Sequence, residues 1–297
     1  MMTTTPAPAA TAIRAACHAA GLHADDMVPV RRHATSVYLL QREGVIVRAS
    51  PAARYDSITT SIALTRWLAE QGFPTVEPLN MPQPTLHHAD LVVTFWRHYP
   101  QEDRTPPPAA CLGKLLRALH ALPGPPIALP AFRPLTSLAQ TVPASTYLTS
   151  VDKQFLMERI SELTRAYDAL DSPLGVGLIH GDAYPGNTLW DDTEPIGVRL
   201  GDWDEAAIGP REVDLANTFQ GARFGRSPSH MRAFTDAYGH DPRRWHGLSV
   251  LIRIRDLHTL GSFIRRADAG DPDAGQELAH RLATLKSDNA EAQWHVF

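Results

Sequence analysis

The sequence is poor in cysteine and lysine, has no long apolar run and carries neither of the common glycine-rich phosphate loops. Its two cysteines, Cys17 and Cys111, fall in separate predicted helices. Two thiols in a chain of 297 residues make no disulfide framework, and both are expected to be reduced. Three of the 28 basic residues are lysine, a compositional bias to which no function is attached. No stretch of 18 apolar residues occurs, so no membrane span is expected. The opening MMTTTPAPAATAIRAA lacks the leucine-rich centre of a secretory signal and is interrupted by Arg14, which gives the expectation of a cytoplasmic protein. A formal net charge of −4 is small for this length and suggests neither a nucleic-acid partner nor a polybasic membrane surface. Without Gly-x-Gly-x-x-Gly or Gly-x-x-x-x-Gly-Lys-Ser/Thr, the Rossmann and P-loop readings fall away. A zinc site built on His180, Asp182 and Asp202 lacks any HxxxH or CxxC companion.

What is present has a clear order. After residues 1–7, expected to be disordered, an Ala-rich helix is predicted over 9–20. Strands follow over 27–32, 36–41 and 45–49, the last two joined by the Arg42-Glu43-Gly44 turn. Ile58, Ile62, Leu64, Trp67 and Leu68 mark a helix over 54–71, stopped by Gly72 and Pro74. Two more strands are predicted at 76–79 and 90–96, separated by the loop MPQPTLHH. Residues 1–96 therefore read as a small antiparallel lobe with a helix across it. Residues 97–108 read as a proline-rich linker and 109–297 as a larger helical lobe. Helices are expected there over 109–122, 151–170, 211–221, 228–239, 245–267 and 273–287, with a second proline-rich loop running to about Pro134. The fold class is α+β, with a nucleotide expected in a cleft between two such lobes.

The chain is organised around residues 178–204, LIHGDAYPGNTLWDDTEPIGVRLGDWD. Apolar runs at 187–190 and 197–200, joined by polar and turn residues, predict a β-hairpin. Asp182, Asn187 and Asp202 are thereby placed at the hairpin root. A hydroxyl attacking a γ-phosphate needs positioning, a carboxylate to take its proton, and charge neutralisation by metal. Asp182, which follows a strand-like run (176–179) and a glycine, is the candidate base. Asn187 and Asp202 offer a neutral and a charged oxygen, which suits magnesium, a cation that keeps much of its water. His180 reads as a packed residue that holds the loop, and Asp204 as a bracing or solvated one.

His180-Gly181-Asp182 with Asn187, then Gly201-Asp202-Trp203-Asp204, then Gly209-Pro210 with Asp214-Leu215-Ala216, resembles the aminoglycoside phosphotransferase family and its choline-kinase-like relatives. The lobe order agrees over roughly 28–290. The resemblance implies a bilobal protein-kinase-like fold that takes ATP or GTP with magnesium. It implies Asp182 as catalytic base, Asn187 and Asp202 as magnesium ligands, and Asp214 as a brace on the catalytic-loop backbone. It places the purine on the backbone of Thr94, Phe95, Trp96 and Arg97, an interlobe hinge. It puts Arg48, at the end of the third strand, on the α/β-phosphates, where a guanidinium can grip in two places. Two features depart from the family pattern. Arg32-His33-Ala34-Thr35-Ser36 replaces a Gly-rich turn, leaving Ser36 as a phosphate contact. Ser61 stands where a Glu would pair the strand cation.

The acceptor pocket is expected in the helices after the hairpin, with Arg223, Arg226, Trp245, Arg253, Arg255, Asp256, His258 and Phe263 as candidates by position. From Arg211 onward twelve Lys/Arg stand against eleven Asp/Glu, so no strongly acidic pocket for a polycation is visible. The C-terminal Trp294-His295-Val296-Phe297 is a further substrate-contact candidate. The leading expectation is phosphorylation of a small-molecule hydroxyl, on an antibiotic or amino-sugar-like acceptor, by a monomer or homodimer. Alternatives are a metabolite kinase of choline, homoserine or fructosamine type, a non-catalytic pseudokinase, and a metal-dependent hydrolase.

Overall fold

The computed structural model describes residues 7–32, 36–87, 91–102 and 104–295. In chain order it runs α1 (Ala7–Ala19), β1 (Met27–Arg32), β2 (Ser36–Leu40), β3 (Val45–Pro51), α2 (Tyr55–Glu70), β4 (Thr85–His87) and β5 (Leu91–Arg97). Next come α3 (Ala109–Ala121), α4 (Thr136–Ala144), α5 (Ser150–Asp168), β6 (Val176–Ile179), β7 (Thr188–Trp190), β8 (Val198–Leu200) and β9 (Ala207–Pro210). The chain closes with α6 (Glu212–Gln220), α7 (Pro228–Tyr238), α8 (Gly247–His258), α9 (Leu260–Asp268) and α10 (Pro272–Lys286). No helix among the described residues is long and apolar enough to cross a membrane. The expected disorder at the N-terminus falls almost wholly outside the described residues.

Two compact units emerge. The first comprises residues 1–107, 122–129 and 186–206, and the second 108–121, 130–185 and 207–297. The first is built on an antiparallel sheet in the order β1-β2-β3-β5-β4. Alternation along β3 decides its two faces, because successive side chains of a strand point opposite ways. Val45, Val47 and Ala49 pack with Val93 and Phe95 against Ile13, Ala16 and Cys17 of α1. Ile46 packs with Val92 and Trp96 against Ile58 and Ile62 of α2. The sheet thus carries a helix on each face, where one had been expected to cross it. Arg48, two residues from Ile46, belongs to the α2 face.

Residues 76–79 form no strand. Pro74 and Pro78 interrupt any ladder, and only isolated bridges remain, Thr75 with Leu200 and Pro78 with Trp96. The strand of this region is β4, inside what reads as a proline-rich loop. The hairpin β7–β8 joins the first unit through main-chain bonds: Val76 N–H donates to Leu200 O at 3.0 Å and Leu200 N–H to Pro74 O at 2.9 Å.

The second unit buries one large core, to which Leu156, Ile160 and Leu163 of α5, Phe219 of α6, Leu251 and Ile254 of α8, and Leu278 of α10 contribute. A capping box opens α5, with Asp152 N–H donating to Thr149 Oγ1 at 3.1 Å. The helix α4 had no expectation in the sequence, because it follows a proline-rich run and holds Pro143 in its last turn. The predicted helix 245–267 is two helices, α8 and α9, which divide at Thr259. Its hydroxyl donates to Asp256 O at 2.8 Å, a local bond that competes with the helix ladder.

Candidate active site

In the first unit, the charged cluster starts from Arg48 on β3. Its Nη2 lies 3.0 Å from Asp204 Oδ2 and 3.3 Å from Asp202 Oδ1. Arg54, which ends the short turn after β3, reaches the same Asp204 oxygen at 2.9 Å. Asp204 is therefore a carboxylate between two guanidiniums. Burial works to raise its pKa, but Arg48 and Arg54 outweigh it and hold the group below its ordinary value. For Arg48 burial works against the charge, and Asp204 and Asp202 outweigh it and raise the pKa. The cation expected to pair with a Glu on α2 thus finds its acids beyond the hairpin. Ser61, buried on α2, is compatible with that arrangement.

Asn187 and Asp202 flank the hairpin root. The ladder ends at the Thr188–Leu200 pair, and Gly201 N–H closes it by donating to Asn187 O at 2.8 Å. Asn187 is buried, at the end of a 3-10 turn (Pro185–Asn187). Asp202 adopts the left-handed conformation, φ 64° and ψ 62°, a region an aspartate tolerates better than most residues. Trp203 is buried beside it, and its indole N–H donates to Thr75 Oγ1 at 2.8 Å. Among the described residues no three His, Cys, Asp or Glu are grouped to hold a metal. What the root offers is two hard oxygen donors, a carboxamide before β7 and a carboxylate after β8. That donor set fits magnesium and does not fit a soft metal.

Thr94, Phe95, Trp96 and Arg97 lie inside β5 rather than in a connecting segment, each opposite a residue of β3. Phe95 and Arg97 are engaged on the other edge as well. Phe95 N–H donates to Gln83 Oε1 at 2.9 Å, Phe95 O accepts from Leu79 N–H at 2.9 Å, and Arg97 N–H donates to Glu77 O at 2.9 Å. The main-chain N–H and C=O of Phe95 and the N–H of Arg97 are thereby engaged within the first unit. Ser36 is the first residue of β2, paired with Ala49. The turn expected at the phosphates, 33–35, lies outside the described residues.

In the second unit, β6 pairs with β9 and delivers His180-Gly181-Asp182 at its end. Gly181 turns the chain with φ 82°, a value that a side chain would strain. Asp214 of α6 is fully buried and accepts from His180 N–H and Gly181 N–H, each at 2.8 Å. Its Oδ2 also lies 3.0 Å from His120 Nε2, and His120 Nδ1 lies 2.8 Å from the Tyr238 hydroxyl. His120 and Tyr238 went unseen in the sequence, since nothing links α3 and α7 to a loop so far along the chain. His180 is buried, and its Nδ1 accepts from Asp182 N–H at 3.3 Å.

The Asp182 side chain, 23% exposed, forms an ion pair with Arg255 of α8. Both line a cavity of about 370 Å³, with Tyr184, Asn217, Arg226, His258, Arg265 and Arg281 also on its walls. Of the acceptor candidates, Arg226, Arg255, His258 and Phe263 reach this cavity. Arg223, Arg253 and Asp256 line a second one of about 390 Å³. Trp245 instead donates its indole N–H to Asp171 at 2.9 Å. Residues 296–297 lie outside the described residues.

The model of the phosphotransferase enzyme family matches residues 27–248. No curated protein matches the chain. Among solved structures, an aminoglycoside phosphotransferase from Streptomyces rimosus, in complex with ADP and streptomycin, is 18% identical. The match covers 83% of this chain and 96% of that one, with a TM-score of 0.60. A choline/ethanolamine kinase family protein from Mesorhizobium loti is 16% identical over 94% of this chain and 93% of its own, with a TM-score of 0.63. An aminoglycoside 2″-phosphotransferase, in a GDP and kanamycin complex, is 15% identical over 96% and 100%, with a TM-score of 0.62. At these identities the likeness shows the fold, α+β and protein-kinase-like.

Proposed function

The chain belongs to the phosphotransferase enzyme family, and from that premise we propose that it transfers the γ-phosphate of ATP or GTP to a hydroxyl of a small-molecule acceptor. The observation that carries this reading is the loop after β6. Asp214 fixes the main chain of His180 and Gly181, and the next residue, Asp182, presents its carboxylate to a cavity large enough for a small molecule. A base held by a braced backbone is what a positioned proton acceptor requires. The acceptor hydroxyl gives its proton to Asp182 as its oxygen bonds to the γ-phosphorus. The bond from that phosphorus to the β-phosphate bridging oxygen breaks, and nucleoside diphosphate leaves.

Asn187 and Asp202 would hold magnesium, which supplies charge neutralisation for the nucleotide phosphates. Arg48 is the candidate phosphate contact, already oriented by Asp202 and Asp204. One relative is bound to ADP and another to GDP, and this reading keeps both nucleotides for this chain. Of the acceptors considered from the sequence, the metabolite-kinase reading gains over the aminoglycoside one. Four arginines and a single acid line the cavity that Asp182 faces. The test is a mass-spectrometric screen of hydroxylated metabolites and antibiotics with ATP or GTP and magnesium. A gain of phosphate that disappears in Asp182→Asn supports the reading. Phosphate transfer that survives unchanged in that variant removes Asp182 from its role.

A further inference from the structure

The charges around the acceptor cavity are not evenly compensated. Arg255 has Asp182, and Arg281 has Glu277, with its Nε 2.7 Å from Glu277 Oε1. Behind the wall, Arg223 has Asp256 at 3.1 Å. Arg226 and Arg265, on the same walls, have no carboxylate within ion-pair distance among the described residues. Arg226 donates to His230 Nε2 at 3.1 Å, a neutral partner at best. It is half-buried, and its side chain lies flat against Gly221. A Cβ on Gly221 would come within 2.5 Å of Arg226 Cδ, so a larger residue there would force the guanidinium away. Burial strips water from Arg226 and no acid compensates, so its pKa falls below the ordinary arginine value. Two buried donors on the same wall, Arg255 Nε and Asn217 Nδ2, have no hydrogen-bond partner among the described residues.

A half-buried cation without a counter-ion, as Arg226 is, and buried donors without acceptors are costly unless something completes them. A polycationic acceptor adds like charge to this wall. A neutral polyol offers weak acceptors to a guanidinium. An anionic group answers the cation, and a planar carboxylate matches the guanidinium fork. We propose that the acceptor is a hydroxylated carboxylate, whose carboxyl group is held by Arg226 while its hydroxyl faces Asp182. Arg255 stands between the two roles. It pairs with Asp182 and lines the same cavity as Arg226. This specificity rests on the kinase reading, because it takes the cavity beside Asp182 as the acceptor's place.

The test uses a panel of hydroxy acids, their neutral amides, and amino sugars including kanamycin and streptomycin. Phosphate transfer from ATP is measured for the wild type and Arg226→Gln. Calorimetric binding of the same compounds without nucleotide is measured in parallel. Transfer to hydroxy acids is expected. In Arg226→Gln the KM for these is expected to rise about 10- to 100-fold, the usual worth of a charge-assisted pair, while kcat stays within about threefold. Transfer to amides or amino sugars with equal efficiency overturns the proposal and leaves the kinase reading standing. A rise in the KM for ATP instead assigns Arg226 to the transferred phosphate and overturns it too. If no compound is phosphorylated but hydroxy acids bind, and bind more weakly in Arg226→Gln, the anion site stands and the kinase reading fails. If neither transfer nor binding occurs, both fail.

Discussion

Asp182 has two neighbours that pull in different chemical directions. Arg255 pairs with its carboxylate, and the backbone behind it is pinned by Asp214. Replacing the carboxylate by a carboxamide keeps the shape and removes the proton acceptor. Asp182→Asn is therefore expected to lower kcat by about 10²–10⁴-fold, the usual worth of a positioned base. Nucleotide affinity, read by calorimetry, is expected to stay within a few-fold, since Arg48, Asn187 and Asp202 are untouched. Equal losses in turnover and nucleotide binding would make Asp182 a structural residue. His258, on the same cavity, has its pKa pushed down from 6.5 to about 4, by burial first and then by Arg255, with Asp182 opposing. The folded value lies below the unfolded one, so the unfolded chain takes up the proton first as pH falls. Stability is then full above about pH 6.5 and is lost progressively toward pH 4, by up to about 1.4 kcal/mol per pH unit. Urea denaturation at pH 7 and pH 5 checks this. His258→Gln should flatten the difference between the two, and an unchanged difference would exclude His258 as its source.

The hairpin β7–β8 is too short to stand alone, with three paired residues in each strand. Arg199 supplies much of what holds it. It is 6% exposed and pairs with Asp191 and Glu194 of the hairpin turn. It also reaches Glu77 Oε1 at 2.7 Å and Thr75 O at 2.8 Å, and stacks 5.0 Å above Tyr99. Burial works to raise the Asp191 pKa, but bonds from Arg199 and Thr193 carry it down to about 2. Arg199→Ala removes a buried guanidinium and leaves partly buried acids without their cation, and is expected to cost about 2–4 kcal/mol, somewhat less than breaking a fully buried pair. Equilibrium urea unfolding measures it, and a loss under 1 kcal/mol would show the hairpin is held by its backbone bonds alone.

None of this was legible in the sequence, because Arg199 and Glu77 are 122 positions apart. What was legible had a local cause. The hairpin, the strands of the sheet and the long α5 follow from periodicity and turn residues. The strand β4 and the helix α4 were missed because proline masks both. Asp214 stood out through its spacing from Gly209-Pro210, but His120 and Tyr238 behind it left no signal. The acids that hold Arg48 were visible as the Asp-Trp-Asp triplet. Their pairing with that arginine was not, since only packing brings β3 to residues 202–204.

At the scale of the whole chain, the two units are interleaved rather than consecutive. The first takes in residues 186–206, and the second resumes at 207. A fragment ending at residue 107 would keep the five-stranded sheet and both of its helices, yet lose what the hairpin contributes. Arg48 and Arg54 would lose Asp204, and Glu77 would lose Arg199. The main-chain groups of Pro74 and Val76 would lose Leu200. Val198 and Leu200, both fully buried, would be absent, and burying such side chains is worth about 1.5–3 kcal/mol each. Set against a typical domain stability of about 5–15 kcal/mol, those losses together are decisive. Residues 1–107 alone are therefore expected to give no cooperative urea transition and poorly dispersed amide resonances, while the full chain unfolds cooperatively. A sharp transition in the fragment would show that the sheet is self-sufficient. The hairpin would then be an attachment to the first unit rather than part of its core, and the Arg48–Asp204 pair would serve the phosphate site without contributing to the fold.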